Sequence, residues 1–411
     1  MEIKRDYYLN QLIQKKENGL IKIITGIRRC GKSYLLNNIF RKHLLENGVL
    51  EENIIYIAVD SIENRELLDG IELNKYILSK ITNENKYYIL LDEIQMVSDF
   101  VSVLNSLMKN SNLDIFITGS NSKFLSSDIA TEFRGRGDVV HIYPLSFSEF
   151  NSVYEGSVNE AWKEYYTYGG LPLVLLQKTD ESKMKYLEDG VKNVYLNDVV
   201  ERNGIQNEKT LETLVNIISS SIGCLTNPLK LANTFQSNKI KITDKTIYSY
   251  LKYLTDAYLI ENAMRYDIKG KKYIETPQKY YFTDIGIRNS ILSFRQQEET
   301  HILENIIYIE LRKRGYKVDV GVVDIKENNV RKQLEIDFVA NKGDDKIYIQ
   351  SSLAMPTIQK ENQEKKSLTE VNDFFKRIVL VKDDIKRYRD EQGIIIMSIF
   401  EFLLDENSLK Y

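Results

Sequence analysis

Short apolar runs separated by stretches of helical period fill the first third of the chain. Residues 20–25, 53–59, 87–91, 113–118 and 139–143 each have the length of one buried strand, while residues 34–45, 71–81 and 100–109 carry helical spacing. Alternation of this kind predicts a parallel sheet with helices on both faces. Beyond it the pattern changes. Residues 158–166 are amphipathic, and 211–222, 229–235 and 246–257 predict three helices, the third opened by an N-cap in Thr243-Asp244-Lys245 and placing Ile247, Tyr250, Leu251 and Leu254 on one face. Strands at 259–266 and 272–282 follow, joined by Asp267-Ile268-Lys269-Gly270-Lys271. From there the predicted order is helix 302–314, strands 317–323, 333–340 and 346–353, a helix near 361–375, and strands 378–381 and 394–396.

Composition narrows the class of protein. A chain of 411 residues, 43% hydrophobic and 28% charged, suits a soluble protein of several domains. No apolar run approaches a membrane span, and Met1-Glu2-Ile3-Lys4-Arg5-Asp6 lacks the apolar stretch of a signal peptide. The two cysteines, Cys30 and Cys224, lie far apart, which points to a reducing cytoplasm and away from a disulfide framework or zinc site. A net charge of −3 excludes a global polybasic surface, although residues 228–290 hold eleven Lys/Arg against six Asp/Glu.

Candidate chemistry concentrates at the ends of the predicted strands. Gly26-Ile27-Arg28-Arg29-Cys30-Gly31-Lys32-Ser33 is a complete G-x-x-x-x-G-K-[ST] loop, directly after a strand and opening a helix at Tyr34. Its glycines let backbone N–H groups cradle phosphate, Lys32 is expected to reach the β- and γ-phosphates, and Ser33 to hold Mg²⁺. The run at 87–91 leads into Asp92-Glu93: Asp92 is expected to anchor Mg²⁺ directly or through water, and Glu93 to polarise the attacking water. The run at 113–118 leads into Gly119-Ser120-Asn121, where Asn121, then Ser120, are candidates for sensing a γ-phosphate, with plain turn chemistry as the alternative. In Glu132-Phe133-Arg134-Gly135-Arg136-Gly137-Asp138, Arg134 or Arg136 would stabilise phosphoryl charge in cis or from a neighbouring subunit, unless the segment is a solvated loop. Asn341-Lys342-Gly343-Asp344 matches the guanine-reading N-K-x-D, but its remoteness and turn-like composition reject it, leaving adenine.

The loop with its Arg28-Arg29 pair, Leu90-Leu91-Asp92-Glu93-Ile94-Gln95, Ile117-Thr118-Gly119-Ser120-Asn121 and Tyr143-Pro144-Leu145-Ser146-Phe147-Ser148-Glu149-Phe150 resemble prokaryotic AAA-type ATPases that end in a domain of unknown function with a restriction-endonuclease-like fold. The resemblance spans essentially the whole chain. It implies an α/β fold: a P-loop NTPase core at 1–150, a helical lid at 151–208, a winged helix at 209–290 and a PD-(D/E)xK-like domain at 291–411. It also implies ATP and Mg²⁺ as cofactors. Tyr168-Gly169-Gly170-Leu171-Pro172 is similar to the lid motif of related signal-transducing ATPases, which makes Pro172 a nucleotide-contact candidate, a helix-breaking turn being the alternative. Lys245, Lys252, Lys269, Lys271 and Lys272 are candidates for meeting DNA phosphates, unless the winged helix serves only as lid or hinge. At the C-terminal site Glu304, Asp337 and Gln350 are the expected metal set, but Gln350-Ser351-Ser352 stands where E-x-K belongs. Glutamine brings no charge and serine no cation, so loss of cleavage is expected while the fold persists as a binding module. The expected activity is ATP hydrolysis coupled to the C-terminal modules. An ATP-controlled nuclease or an ATP-switched DNA-binding regulator is the alternative, and a homo-oligomer and an unidentified protein are the candidate partners.

Overall fold

The computed structural model describes residues 3–119, 135–295 and 298–410. Ser120, Asn121 and Arg134 lie outside the described residues. Contacts divide the chain into two compact units, Met1–Pro144 with Asp256–Tyr258, and Leu145–Thr255 with Leu259–Tyr411.

The first unit opens with α1 (Asp6–Lys15), a helix before the first strand that the apolar runs did not signal. It then forms the expected parallel sheet from β1 (Ile21–Thr25), β2 (Ile54–Ala58), β3 (Tyr87–Asp92), β4 (Leu113–Thr118) and β5 (Gly137–His141), in the order β2-β3-β4-β1-β5. This is the P-loop NTPase α/β fold. The fifth strand begins two residues earlier than its apolar run, because Gly137 and Asp138 pair with Ile21 and Lys22 despite their polarity. Between β1 and β2 the chain turns helical at α2 (Lys32–Tyr34), widens through a π-helical stretch, Leu35–Phe40, and closes as α3 (Arg41–Glu46). Next come α4 (Gly70–Lys80), capped by Asp69 accepting from the N–H groups of Ile71 and Glu72, and α5 (Phe100–Leu107). One face of the sheet, with Ile21, Ile23, Ile57, Ile89 and Ile117, packs on Leu73 and Ile77 of α4 and Val103, Leu104 and Leu107 of α5. On the other face the rings of Phe40 and Phe116 lie 4.6 Å apart.

A charge interrupts this apolar centre. All five residues of β1 are buried, Lys22 among them at 0% exposure. Its ammonium donates to the Asp114 carboxylate of β4 and, at 2.8 Å, to the Leu20 carbonyl, and it lies 4.7 Å from the centre of the Phe116 ring. The other Asp114 oxygen accepts the Glu17 N–H at 2.9 Å. Burial pulls the Lys22 pKa down against the pull of Asp114.

The second unit carries a mixed eight-stranded sheet, ordered β12-β13-β11-β10-β9-β8-β6-β7. The strands are β6 (Ile260–Asp267), β7 (Lys272–Phe282), β8 (Lys317–Glu327), β9 (Val330–Lys342), β10 (Asp345–Ser352), β11 (Lys376–Val381), β12 (Tyr388–Arg389) and β13 (Ile395–Ser398). Helices Glu208–Ser220, Pro228–Ser237 and Asp244–Asp256 precede it at the expected places, and the Thr243 hydroxyl accepts the Thr246 N–H as the N-cap reading requires. The β6–β7 hairpin is continuous with the later strands through parallel pairing of Arg265–Asp267 with β8, so one sheet runs across position 290. The helix expected near 361–375 is Ile358–Thr369. It stops early because Asp373 leaves helical structure to accept the Tyr348 hydroxyl at 2.6 Å and the Phe375 N–H at 3.2 Å.

Breaking the Lys22–Asp114 pair by Asp114→Asn is expected to lower the unfolding free energy by about 3–5 kcal/mol, because it strands a buried ammonium. The double replacement Lys22→Met with Asp114→Leu is expected to recover most of that loss. Urea unfolding of the three proteins followed by circular dichroism checks both outcomes; an Asp114→Asn midpoint equal to wild type would refute them.

Candidate nucleotide site

The phosphate loop is built by backbone geometry. Gly26, Arg29 and Gly31 adopt positive φ angles of 144°, 65° and 100°, which curl the chain between β1 and α2. A side chain at position 26 would place its Cβ 2.2 Å from the Ile142 carbonyl oxygen, so the exit of β5 excludes anything larger than glycine there. Lys32 is buried, its ammonium held inside the loop by the carbonyls of Gly26 and Ile27 at 3.1 Å each. Ser33 and Tyr34 are exposed, Arg28 is half-buried and Arg29 exposed. Cys30 is fully buried, its sulfur 3.1 Å from the position a Cβ at residue 26 would take. The outer side of the loop is tied to the N-terminal segment: Arg5, itself buried, donates to the Tyr143 carbonyl at 2.6 Å and the Cys30 carbonyl at 3.4 Å, and the Tyr8 hydroxyl accepts the Tyr143 N–H at 3.0 Å.

Asp92 and Glu93 sit where β3 ends. Asp92 is buried, and its carboxylate accepts hydrogen bonds from the hydroxyls of Thr118 and, at 3.4 Å, Tyr56. Burial raises its pKa, with the charges of Glu93 and Asp60 pushing the same way, while the Thr118 and Ser33 hydroxyls oppose. A buried carboxylate with the Ser33 hydroxyl and further acids acting on it is a donor set that fits a divalent cation. Glu93 follows in left-handed backbone, φ 54° and ψ 41°. Its N–H donates to Thr118 Oγ1 at 2.9 Å, and its carboxylate accepts from the side-chain amide of Gln95.

Thr118 therefore serves both acids from β4, the strand inserted between β1 and β3. Sequence reasoning passed over it for Ser120 and Asn121, because the apolar runs do not reveal which strand neighbours which. Gln95 and Arg5 were missed as well. Every residue of β4 after Leu113 is buried, Thr118 among them, but only the strand order gives Thr118 its partners.

Arg136 requires a correction. It was a candidate for phosphoryl stabilisation in cis, but it immediately precedes β5, and its carbonyl accepts the Ile21 N–H at 2.9 Å. β1 and β5 are parallel, so Arg136 is exposed at the end of the sheet opposite the phosphate loop. The five residues of β1 span ~17 Å, beyond the reach of a guanidinium on the same subunit.

In the second unit, Gly169 (φ 75°) and Gly170 have a packing reason: a Cβ on the first would come within 2.2 Å of Asp284 Oδ1, and one on the second within 2.2 Å of the Leu145 carbonyl oxygen. Asp284 accepts the Gly170 N–H at 2.7 Å, and burial pushes its carboxyl up to about 6 against the backbone N–H groups that hold it. Pro172 begins the short 3₁₀ turn that follows. Lys245, Lys252, Lys269, Lys271 and Lys272 are all exposed, Lys269 donating to the Asp324 carbonyl at 2.9 Å. Glu304, Asp337 and Gln350 come into one buried region, where the Asp337 N–H donates to Gln350 Oε1 at 3.3 Å. Burial raises Asp337 to about 7, with the charge of Glu304 adding to the rise.

Comparison with known proteins finds relatives for both parts of the chain. Residues 18–151 match the model of an AAA domain, and residues 159–298 match a domain of unknown function. A protein of Haemophilus influenzae is 36% identical over 98% of this chain and 98% of its own. One of Methanocaldococcus jannaschii is 32% identical over 90% of this chain and 82% of its own. Among solved structures, a Walker-type ATPase of Pyrococcus abyssi aligns with a TM-score of 0.49 and 16% identity, covering 71% of this chain and 96% of that one. Among the described residues no helix is long and apolar enough to cross a membrane. The chain belongs to the family of the Haemophilus influenzae protein, and its first third is the AAA domain of a P-loop ATPase.

Proposed function

We propose that the protein hydrolyses ATP and that its nucleotide state controls the C-terminal elements. The observation that carries the hydrolytic reading is a buried Asp92 beside a Glu93 whose backbone and carboxylate are both held, at the strand end next to the phosphate loop. Lys32 binds the β- and γ-phosphates within the loop, and Glu93 takes the proton of the attacking water. Mg²⁺, held by Ser33 and Asp92, would neutralise charge on the transferring phosphoryl group. Asn121 is proposed as the γ-phosphate sensor and Pro172 as a nucleotide contact. The in-trans role for Arg134 or Arg136 requires a second copy of the chain. The winged-helix and PD-(D/E)xK-like readings of residues 209–290 and 291–411 supply the modules to be moved, and the exposed lysines of the hairpin are where DNA would be met.

Replacing Glu93 by Gln is expected to cut ATP turnover by about 10²–10⁴-fold while ATP still binds. Phosphate release and binding of a fluorescent nucleotide check the two halves, and undiminished turnover would remove Glu93 from the mechanism. Thr118→Val keeps the shape of the side chain but removes both of its hydrogen bonds. It is expected to lower kcat by roughly 10–100-fold with KM changed little, and Thr118→Ser to restore most of the rate. A loss that appears in KM alone would show that Thr118 acts on binding and not on the position of Glu93.

A further inference from the structure

The buried acids of the second unit are already provided with a cation. Lys279, on β7 and 3% exposed, places its ammonium 2.8 Å from Glu304 Oε1 and 2.8 Å from Glu335 Oε1. Tyr281, two residues along the strand, donates to the same Glu304 oxygen at 2.6 Å. Gly223 packs against the Glu304 carboxyl: a Cβ there would lie 3.2 Å from Oε2. Asp337 Oδ2 accepts both the N–H and the hydroxyl of Ser351, at 2.8 and 2.7 Å. Gln350 Oε1 accepts the Asp337 N–H at 3.3 Å and the Ser367 hydroxyl at 3.5 Å. Glu304 Oε1, Asp337 Oδ2 and Gln350 Oε1 are thus each turned toward a protein donor. Among the described residues no group of three or more His, Cys, Asp or Glu is placed to hold a metal ion.

We propose that Lys279 takes the place of a divalent cation in this cluster, so that the second unit binds no metal at Glu304 and Asp337 and does not cleave nucleic acid there. A carboxylate cluster taken out of water needs a counter-charge, and either a metal or a buried ammonium supplies it. A lysine serving instead to activate water beside a bound metal would leave the carboxylates to that metal, whereas this ammonium engages Glu304 and Glu335 together. The same contacts fasten the β6–β7 hairpin to the helix Glu299–Lys313 and to β9, so the charge cluster also serves as a structural clamp within the unit.

The test is Mn²⁺ titration of the nucleotide-free full chain followed by electron paramagnetic resonance, with Ser33→Ala carried throughout to remove the serine expected to hold metal at the phosphate loop. With Lys279 in place, no bound Mn²⁺ should depend on Asp337, so Asp337→Asn should change nothing. Lys279→Met should create a site that binds Mn²⁺ roughly tenfold or more tightly than the parent and disappears when Asp337→Asn is added. Mn²⁺ should also raise the melting temperature of Lys279→Met and not of the parent. Asp337-dependent Mn²⁺ binding in the parent would overturn the proposal, and that measurement stands even if Lys279→Met fails to fold. A folded Lys279→Met that gains neither binding nor thermal response would overturn it equally.

Discussion

In the first sheet Ile24 lies beside Thr118, and Ile117 beside Leu91, so β1, β4 and β3 end on one level. The loop after β1, Thr118 at the end of β4, and Asp92 and Glu93 at the end of β3 all hang from that level. Parallel pairing enforces this, because strands that run the same way present their carboxyl ends together, and helices must cover both faces to bury their apolar residues. The order of the strands matters as much as their direction. With β4 between β1 and β3, a single hydroxyl can bond the side chain of Asp92 and the backbone of Glu93 at once.

The buried pair inside this sheet follows from the same order. Lys22 and Asp114 sit on adjacent strands, β1 and β4, and neither charge could remain in the core without the other. Burial and the pairing compete openly at Lys22, where desolvation outweighs Asp114 in its effect on the ammonium. The pair is thus weak evidence for stability as such but strong evidence for register. A slip of β4 by one residue would turn Asp114 to the opposite face and leave Lys22 without its partner.

Much of this was legible in the chain. The apolar runs gave every strand but β12 to within a few residues, and the phosphate loop and Asp92-Glu93 fell at strand ends as read. What escaped was whatever depends on neighbours distant in sequence. Arg136 looked like a catalytic arginine because glycines flank it, yet the direction of β5 puts it at the wrong end of the sheet. Residues 361–375 had helical character throughout, but a tertiary hydrogen bond from Tyr348 to Asp373 outweighed the last turn. At the C-terminal cluster the search for a lysine stopped at the strand carrying Gln350-Ser351-Ser352, whereas the lysine present comes from β7, joined to the later strands only through β6 and β8.

The backbone at Glu93 shows how such distant neighbours shape a local conformation. A non-glycine residue in the left-handed region costs of order 1–3 kcal/mol, and glutamate has no short polar side chain to offset it locally. Here the compensation comes from elsewhere: Thr118 accepts the Glu93 N–H, and Gln95 holds its carboxylate. Two hydrogen bonds, one of them to a charged group, contribute on the order of 2–4 kcal/mol together, which is comparable to the strain. The conformation therefore persists because strand order brings Thr118 alongside. Glu93 precedes the short turn Ile94–Met96 without capping it through its side chain, so the strain at position 93 is balanced by two specific contacts from other positions and not by a local cap.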